Sequence, residues 1–534
     1  MFDTVVANGT LIDGARAPRR RADVGISGGK IAALGDLSAA SAQSRIDASG
    51  RIVAPGFIDL HNHSDGWLLK TPHLVPKTQQ GFTTEVLMAD GISYAPVRPS
   101  LAPEWMFYLR SLNGLRLDEY RGWESLEDYL ALLDRRNVQN AAVHIPYANV
   151  RVNACGWGRH PADDFAMREI QQAIRQGMDQ GAVGLSTGLD YISQCFASTD
   201  ELAEASSAMA DHGGLYVTHM RYKKGILSGL KEAVEIGRRA RVPVHISHLK
   251  GHDLEEAEQI LAYIDREARH QVDLSFDVYP YQPGSTMLNF LLPYEVWEEG
   301  PLAALRKLTD PTIQERFAAG LEAYDLELDQ IHIAWTLSKE NSRHQGKLLS
   351  EYVAETGLSA AEALCNLLIE ERLAVLLVFN QGDDALVHPF LQHELYLMGS
   401  DGIYFPEGAI HPRMYGSAPR LLGPCVRDWK LFSLEEAVYK LSGGPAGRFG
   451  LKDRGVVREG AWGDVVVFDE ATVTDRATYA DPHQTPLGIE HVLVNGCPII
   501  TRGIPVEPCG GPLPGRALRS ERGLSNRRSP SASS

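Results

Sequence analysis

The chain has 534 residues, of which 44% are hydrophobic and 22% charged, and its formal net charge is -16. This composition is that of a globular protein with ample chain for a large core. The excess of acidic residues argues against nucleic acid or an anionic membrane as a partner, because both require a basic surface. It does not exclude a small anionic substrate, which needs only one or two local cations.

Cysteine usage and the N-terminal residues indicate where the protein resides. Six cysteines are scattered along the chain without a C-x-x-C spacing, which fits neither a disulfide framework nor a cysteine-rich zinc site. The first residues, MFDTVVANGTLIDG, lack the charged and apolar regions of a secretory signal. The longest apolar runs, such as residues 373–379, are too short to span a bilayer. We therefore expect a cytoplasmic protein, and the sequence leaves its oligomeric state open.

Both ends of the chain predict short strands. Residues 1–55 alternate apolar and polar side chains and contain the turn signal Gly28-Gly29. Residues 451–505 show the same pattern, with Asn495-Gly496 as the turn. The two segments could form one small β domain built from both termini.

Between these ends, residues 56–450 alternate predicted strands and helices, which favours parallel βα units. Eight strand candidates occur, the number that a (β/α)₈ barrel needs. In chain order they are GFIDLH, TTEVLMAD, NAAVHIPYANV, AVGLSTG, GLYVTHM, VPVHISHLK, VDLSFDVYPY and LYLMGSDG.

Two segments depart from this repeating pattern. Residues 284–394 are too long for one crossover and carry helical patterns of their own, so we interpret them as an insertion after the seventh strand. The tail, residues 506–534, is rich in Gly, Pro, Ser and Arg, a composition that predicts disorder.

Metal-ligand residue types stand at the ends of several predicted strands. His61 and His63 lie two apart and therefore face the same side of the first strand. Alone, this pair is equally well explained as two unrelated histidines. His219, His248 and Asp401 also end predicted strands, however, and barrels hold their active sites at the carboxyl ends of their strands. Imidazole and carboxylate together suit zinc or a similar divalent ion, so the sequence predicts one metal centre.

The order of these residues resembles that of the amidohydrolase superfamily. Within it, further motifs look like those of the D-aminoacylase (N-acyl-D-amino-acid deacylase) family, over about residues 1–503. The resemblance implies an α/β fold, namely a (β/α)₈ TIM barrel of amidohydrolase type with a small β-sandwich domain formed by both termini. The motifs are FIDLHNHSD, GFTTEVLMADGISYAP, GLSTGLDY, THMR, SHLK, YPYQPGSTML, MGSDG, HPRMYGSAPRLLG and GIEHVLVNG.

The chain departs from that family at Asp90. Where the family has a metal-binding cysteine in a pattern like N-C-G-I-S, this chain has ADGIS. Carboxylate can also bind zinc, so we expect Asp90 to be a ligand; the alternative is that it caps the turn before Gly91. Because carboxylate is the harder donor, the expected Zn²⁺, as one or two ions, could be replaced by another divalent metal. The ligand set implied is His61, His63, Asp90, His219, His248 and Asp401.

The resemblance also implies catalytic and substrate-binding residues. Asp401 would take a proton from a metal-activated water and give it to the leaving nitrogen. Arg413 matches the arginine that binds the substrate carboxylate, and Tyr281 matches a tyrosine that assists it. Lys250 and Arg221 are further candidate cations for the substrate. The alternatives are a structural loop salt bridge for Arg413 and a solvated strand-end lysine for Lys250.

These residues favour a metal-dependent hydrolase that acts on N-acyl-D-amino acids. Two alternatives stay open: a cyclic-amide hydrolase, similar to hydantoinase or dihydroorotase, and a catalytically silent binding protein with the same fold. The stretch GLSTG also fits the G-x-S-x-G nucleophile motif of serine hydrolases, but no clean helix follows it. We therefore interpret Ser186 as a barrel-strand residue.

Overall fold

Eight parallel strands close into a barrel in the computed structural model, which describes residues 1–323, 326–506 and 511–521. All eight coincide with strands predicted from the sequence, so the prediction of a (β/α)₈ barrel is confirmed. Each strand pairs in parallel with the next one along the chain. Their bounds are Phe57–Asp59, Phe82–Leu87, Asn140–Val143 continued by Ile145–Pro146, Gly184–Gly188, Leu215–His219, Val244–Ile246, Leu274–Val278 and Tyr396–Met398.

The barrel closes where its eighth strand returns to the first. The Asp401 N–H donates to the His61 carbonyl at 2.7 Å, and the His63 N–H donates to the Gly402 carbonyl at 3.0 Å. These bonds continue the pairing beyond the last residues of both strands. As a result, His61, His63 and Asp401 are neighbours at the carboxyl end of the barrel.

Helices surround the barrel and pack their apolar faces on it. In the helix Ile226–Ala240, for example, Ile226, Leu230, Ala233 and Val234 are buried, at the spacing of one helical face. Within the described ranges, no helix combines the length and apolar character needed to cross a membrane. The helices between and after the strands are Asp65–Lys70, Val75–Thr78, Ala102–Tyr108, Arg110–Asn113, Leu126–Leu133, Tyr147–Cys155, Asp164–Asp179, Thr199–Ser207, Ile226–Ala240, Leu254–Tyr263, Arg269–Gln271, Arg413–Leu422, Leu434–Leu441 and Gly443–Phe449.

The two ends of the chain meet in β-sheets beside the barrel. The strand Ile52–Pro55 pairs antiparallel with Val465–Phe468, so one seven-stranded sheet contains strands from both termini. A four-stranded sheet packs against it over a shared apolar core that includes Val24, Ile26 and Leu493. The other strands of these sheets are Phe2–Ala7, Thr10–Leu11, Arg20–Arg21, Asp23–Ser27, Lys30–Gly35, Ala42–Asp47, Ile489–Val494, Cys497–Thr501 and Ile504–Pro505.

The long segment between the seventh and eighth strands forms its own small layer. Its three antiparallel strands have the order Gly284–Met287, Val375–Phe379, Ile331–Thr336. Five helices accompany them: Pro301–Lys307, Pro311–Ala323, Leu349–Thr356, Ala360–Glu370 and His388–Gln392.

The prediction of a disordered tail does not hold for residues 511–521. Ala517 bridges in parallel to Ala141, the Leu518 N–H donates to the Ala141 carbonyl at 2.7 Å, and the Ser520 N–H donates to the Gly181 carbonyl at 2.9 Å. The ladder between the third and fourth strands pairs Ile145 with Leu185 and Pro146 with Ser186. Backbone groups nearer the amino ends of these strands are therefore available to residues 511–521. The rest of the predicted tail after residue 506 lies outside the described residues.

A buried ion cluster holds the first, second and eighth strands together. Lys77 is fully buried; its ammonium contacts the Asp59 carboxylate and donates to Ser400 Oγ at 2.9 Å. The Ser400 N–H donates to Asp59 Oδ1 at 2.8 Å, and Glu85 Oε2 lies 3.6 Å from the ammonium. Burial, opposed by Lys77 and reinforced by Asp59, raises the pKa of Glu85 above its usual value. Since Ser400 precedes Asp401, the cluster also fixes the backbone that carries this site residue.

Candidate active site

Four of the predicted ligands meet where the first and eighth strands end. His63 Nε2 lies 3.2 Å from Asp401 Oδ1, and His61 Nε2 lies 3.6 Å from the same oxygen. Asp90 approaches from the loop after the second strand: its Oδ1 is 3.4 Å from His61 Nε2, and its Oδ2 is 3.7 Å from His63 Nε2. The structure therefore brings these four side chains together as predicted.

The other two predicted ligands form the second half of the same cluster. His219 Nδ1 and His248 Nε2 lie 3.0 Å apart, so these two ring nitrogens face each other. His248 Nε2 is 3.9 Å from Asp90 Oδ1. The Asp90 carboxylate thus lies between His61 and His63 on one side and His248 on the other.

Backbone geometry turns three of these side chains toward the cluster. Asp90, His248 and Asp401 have positive φ angles of 57°, 39° and 49°, a conformation that is uncommon for residues with a Cβ atom. Each follows the end of a barrel strand, where the chain turns sharply into a loop. Strained backbone of this kind gathers at functional sites.

The donor atoms in the cluster fit a divalent cation. The two ring nitrogens of His61 and Asp90 Oδ1 are buried without a hydrogen-bond partner, which is costly for polar atoms unless an ion satisfies them. Two groups, His61 with Asp90 and His248, and His61 with His63 and Asp401, each place their donor atoms within 4.8 Å of one another. Nitrogen and carboxylate donors in such a set suit zinc and related metals.

Electrostatics in the cluster also favour a cation. Burial opposes protonation of His61, but the carboxylates of Asp90, Asp277 and Asp401 outweigh burial and raise the pKa of its imidazole to about 10. Burial likewise opposes ionisation of Asp401, yet Arg413 and the neighbouring histidines hold the pKa of its carboxyl well below the usual value. The Asp401 carboxylate therefore stays ionised and adds negative charge beside His61.

Two buried carboxylates support the histidines from behind. Asp277 accepts a hydrogen bond from the backbone N–H of His248 at 2.8 Å, and its Oδ2 lies 3.6 Å from the ring nitrogen Nδ1 of His61. Asp190 Oδ2 lies 3.4 Å from His219 Nε2. Carboxylates in such positions orient metal-binding imidazoles. Neither carboxylate is among the predicted site residues, although Asp277 interrupts the apolar strand motif LSFDV and Asp190 belongs to GLSTGLDY.

A cavity of about 680 Å³ opens over the cluster. This volume is in the usual range for small-molecule sites. His63, Asp90, His219, His248 and Asp401 line its floor. Its walls include Leu112, Tyr191, Tyr222, Lys223, Ile226, Lys250, Tyr279, Gln282, Ser285, Thr286, Phe290, Leu291, Leu326 and Phe379.

Two predicted substrate-binding cations are found at this cavity, in different positions. Lys250 lines the wall; its Nζ donates to Tyr279 Oη at 2.8 Å, and burial together with Arg413 lowers its pKa to about 7. Arg413 is fully buried behind the wall, where Nη1 pairs with Asp401 Oδ2 at 2.9 Å and Nη2 donates to the Ser285 carbonyl at 3.0 Å. Its guanidinium also lies 4.3 Å from the Tyr279 ring centroid.

The structure places the predicted tyrosine, Tyr281, outside the cavity lining. Tyr281 is not among the cavity-lining residues; its hydroxyl donates to Asp475 at 3.0 Å, and the Arg420 guanidinium stacks 4.3 Å from its ring. Tyr279, the first tyrosine of YPY, lines the cavity instead. The seventh strand ends at Val278, so the alternation of a strand cannot place these two rings on one face.

The placement of Arg221 contradicts its predicted contact with substrate. Its Nε pairs with Glu232 at 3.0 Å, and its terminal nitrogens donate to the carbonyls of Leu189, Cys195 and Ala197 at 2.9–3.1 Å. It is buried and not among the residues that line the cavity. Arg221 therefore stabilises the loop after the fourth strand, because its guanidinium donates to the backbone carbonyls of that loop.

Ser186 lies inside the fourth strand and is fully buried. Its hydroxyl donates to the Met88 carbonyl at 2.6 Å. It therefore helps to fix the backbone two residues before Asp90, and the geometry of a serine nucleophile is not present at this position.

Comparison with known proteins agrees with this geometry. A model of the amidohydrolase family matches residues 45–318 and 393–500, more than half of the chain. A D-aminoacylase of Alcaligenes xylosoxydans xylosoxydans is 36% identical over 503 residues, which cover 93% of this chain and 94% of the relative. The chain belongs to the D-aminoacylase family of amidohydrolases.

Two further relatives of this amidohydrolase are named for N-acyl-D-glutamate. An N-acyl-D-glutamate deacylase from the same organism is also 36% identical, over 97% of both chains. The crystal structure of N-acyl-D-glutamate deacylase from Bordetella bronchiseptica, complexed with zinc and a phosphonate inhibitor that mimics the tetrahedral intermediate, is 33% identical. It superimposes with a TM-score of 0.82, covering 97% of this chain and all of its own.

Proposed function

We propose that this amidohydrolase cleaves the amide bond of N-acyl-D-amino acids by a metal-activated water and releases a carboxylate and the free D-amino acid. The observation that carries the proposal is the cluster of four histidines and two aspartates at the base of a cavity that has Lys250 in its wall. The relatives named as D-aminoacylase and as N-acyl-D-glutamate deacylase support the same reaction.

The residues proposed to hold Zn²⁺, as one ion or two, are those of the cluster. When bound, a divalent cation acts as a Lewis acid, which lowers the pKa of water and polarises the amide carbonyl. Asp90, between the two halves, replaces the thiolate that the family resemblance implies. The set is His61, His63, Asp90, His219, His248 and Asp401.

Asp401 is proposed to move the proton. Arg413 occupies its Oδ2, so Oδ1, which faces His61 and His63, is the oxygen that accepts a proton from the attacking water. The same atom then gives the proton to the leaving nitrogen, so that Asp401 serves first as base and then as acid.

Lys250 and Arg413 are proposed to bind the α-carboxylate of the substrate. Both cations contact Tyr279, Lys250 through the hydroxyl and Arg413 over the ring face, so they lie side by side next to Asp401. Lys250 reaches the cavity directly, and Arg413 adds positive charge from behind the wall. A carboxylate held there brings the amide bond next to the proposed base.

The two tyrosines of YPY provide a matched test of this arrangement. Tyr279→Phe removes the hydroxyl that accepts from Lys250, and we expect KM to rise about 10-fold or more, since a hydrogen bond to a charged group contributes roughly 1.5–3 kcal/mol. Tyr281→Phe removes a hydroxyl bonded to Asp475 and should leave KM within about twofold. Equal increases in KM for both variants would contradict the placement of Tyr279 at the substrate.

The experiment that tests the function combines metal removal with a substrate panel. Purified protein is treated with chelator and reloaded with Zn²⁺. Amine release is measured from N-acetyl-D- and N-acetyl-L-amino acids, and ring opening of hydantoins and dihydroorotate to their N-carbamoyl acids is measured by chromatography. We expect hydrolysis of the D-series, lost without metal and restored with it. Activity confined to the cyclic amides would replace the proposal by a cyclic-amide hydrolase. Absence of bound metal and of any turnover would favour a silent binding protein.

We also propose that the enzyme is cytoplasmic. The scattered cysteines support this, because their spacing is not typical of an exported, disulfide-bonded protein.

A further inference from the structure

We propose that a second cavity, at the end of the barrel opposite the metal cluster, binds a phosphate group, as inorganic phosphate or as part of a small phosphate monoester. This arginine cavity has a volume of about 260 Å³, and its lining includes Arg135, Arg516 and Trp462. The third strand begins at Asn140, so Arg135 lies at the amino end of the barrel, whereas the metal cluster lies at the carboxyl ends of the strands. The arginine cavity is therefore separate from the proposed active site.

Separate parts of the chain meet around the arginine cavity and fix its walls. The Arg135 N–H donates to the Gly515 carbonyl at 2.9 Å, and the Leu513 N–H donates to the Arg135 carbonyl at 3.0 Å. Asn495, in the turn after a strand of the seven-stranded sheet, donates through Nδ2 to the Pro514 carbonyl at 2.7 Å. Walls that are already held in place lower the cost of ordering on binding.

The positive charge of the arginine cavity lacks a counter-charge. Among the described residues that line it, the charged ones are Arg135 and Arg516. Neither guanidinium pairs with a carboxylate within residues 1–323, 326–506 and 511–521, in a chain whose net charge is -16. Arg516 Nε is buried without a hydrogen-bond partner, which is costly for a cationic donor unless an anion satisfies it.

Further cations surround the ring of Trp462 in the cavity wall. The Arg516 guanidinium lies 4.8 Å from the ring centroid, and the Arg454 guanidinium and Lys30 Nζ each lie 5.0 Å from it. Arg454 is neutralised by Asp464, which it contacts. Lys30 and Arg516 have no such partner among the described residues, so a bound anion would supply the missing negative charge.

The carboxylates nearest to the lining residues do not fill this role. Asp464 Oδ1 accepts the Asn495 N–H at 2.7 Å. Asp3 Oδ2 accepts the N–H of Gly28, a lining residue, at 2.7 Å. Asp464 and Asp3 are not themselves among the lining residues, so both acids hold the walls from outside and leave the arginines facing the cavity.

A phosphate group matches this set of donors. A phosphate monoester carries about 1.5–2 negative charges at neutral pH and three strong acceptor oxygens. Guanidinium groups bind such oxygens in bidentate fashion, and two of them match this charge better than the single charge of a carboxylate. The cavity is smaller than the roughly 300–1,000 Å³ of pockets for drug-sized ligands, which favours a free ion or one end of a small ester.

The test measures thermal unfolding of the purified, zinc-loaded, full-length protein in sodium phosphate, glycerol 3-phosphate or sodium acetate, at one ionic strength set with sodium chloride. We expect both phosphates to raise the unfolding temperature above that in chloride alone, because a ligand that binds only the folded state stabilises it. Acetate should raise it less. The larger of the two phosphate effects identifies whether the free ion or the ester is bound. No rise with either phosphate, or an equal rise with acetate, would overturn the proposal.

Variants of the two arginines locate the site, because a bound metal ion also attracts phosphate. Arg516→Gln and Arg135→Gln each remove one guanidinium, and we expect each to weaken phosphate binding about 10-fold or more in titration calorimetry, since hydrogen bonds to a charged group are lost. Arg516→Lys keeps the charge without the planar fork and should bind with intermediate affinity.

Arg519→Gln is the matched control. Arg519 belongs to the same tail segment, is exposed, and donates to the Gln180 carbonyl at 2.9 Å, outside the cavity. It should keep the phosphate affinity of the unsubstituted protein within about twofold. Arg135 is also exposed, so Arg135→Gln tests the proposal if Arg516→Gln does not fold. Unchanged phosphate affinity in the folded variants of Arg135 and Arg516 would place the anion elsewhere and overturn the proposal.

Discussion

Replacing Asp401 by asparagine is expected to lower kcat/KM by about 10³-fold, because general acid–base catalysis contributes 10²–10⁴-fold. Asparagine keeps the size of the side chain and one acceptor oxygen, but it neither accepts a proton from water nor donates one to a leaving nitrogen. The loss should fall mainly on kcat, since Lys250 and Arg413, the residues proposed to bind the substrate carboxylate, are unchanged. Steady-state kinetics on N-acetyl-D-leucine check the expectation.

Two accompanying measurements separate catalysis from structure. Bound zinc and the thermal unfolding temperature are measured for Asp401→Asn, since Asp401 is also a proposed ligand and pairs with the buried Arg413. Asp384→Asn is the matched control, because Asp384 pairs with Arg420 and is not among the cavity-lining residues. It should keep kcat/KM within about threefold. Full activity of Asp401→Asn with metal bound would exclude Asp401 as the proton carrier.

The predicted ligands other than Asp90, which the structure brings together, share one property: they stand at the ends of barrel strands. In a closed parallel sheet, the carboxyl ends of all strands meet on one face, so residues far apart in the chain come together by topology alone. His61, His63, His219, His248 and Asp401 follow this rule. Asp90 could be predicted because, after the second strand, it stands where the family that the chain resembles has a metal-binding cysteine.

The predictions that differ from the structure concern residues that lie outside the barrel strands. Tyr281 was chosen over Tyr279 on the basis of the motif, but beyond Val278 the backbone no longer alternates, and only coordinates tell which ring faces the cavity. Arg221 follows a ligand by two positions, yet its many donors bind loop carbonyls. Disorder of the tail was predicted from its composition. Composition does not reveal that residues 511–521 form hydrogen bonds with backbone groups left free between the third and fourth strands.

Lys77→Met is expected to lower the free energy of unfolding by about 3–5 kcal/mol, because removing one partner of a buried ion pair leaves the other charge without compensation. Lys77 and Asp59 are both fully buried, and without the ammonium the Asp59 carboxylate keeps only neutral donors, which are the Ser400 N–H and hydroxyl and the backbone N–H of His61. Methionine fills nearly the volume of lysine, so a cavity contributes little to the loss. Urea unfolding of the metal-loaded protein measures it.

The pairing itself is tested by removing the orphaned charge as well. Lys77→Met combined with Asp59→Asn should recover much of the lost stability, since the buried carboxylate is then replaced by a neutral amide. Lys452→Met, at a mostly exposed lysine, should change stability by less than about 1 kcal/mol. If Lys77→Met lowered the free energy of unfolding no more than Lys452→Met, the ion cluster would not contribute to stability.

The same cluster should affect zinc binding, because Ser400 bonds both Lys77 and Asp59 and precedes Asp401. We expect Lys77→Met to retain less zinc than the unsubstituted protein, and the double variant to restore zinc retention.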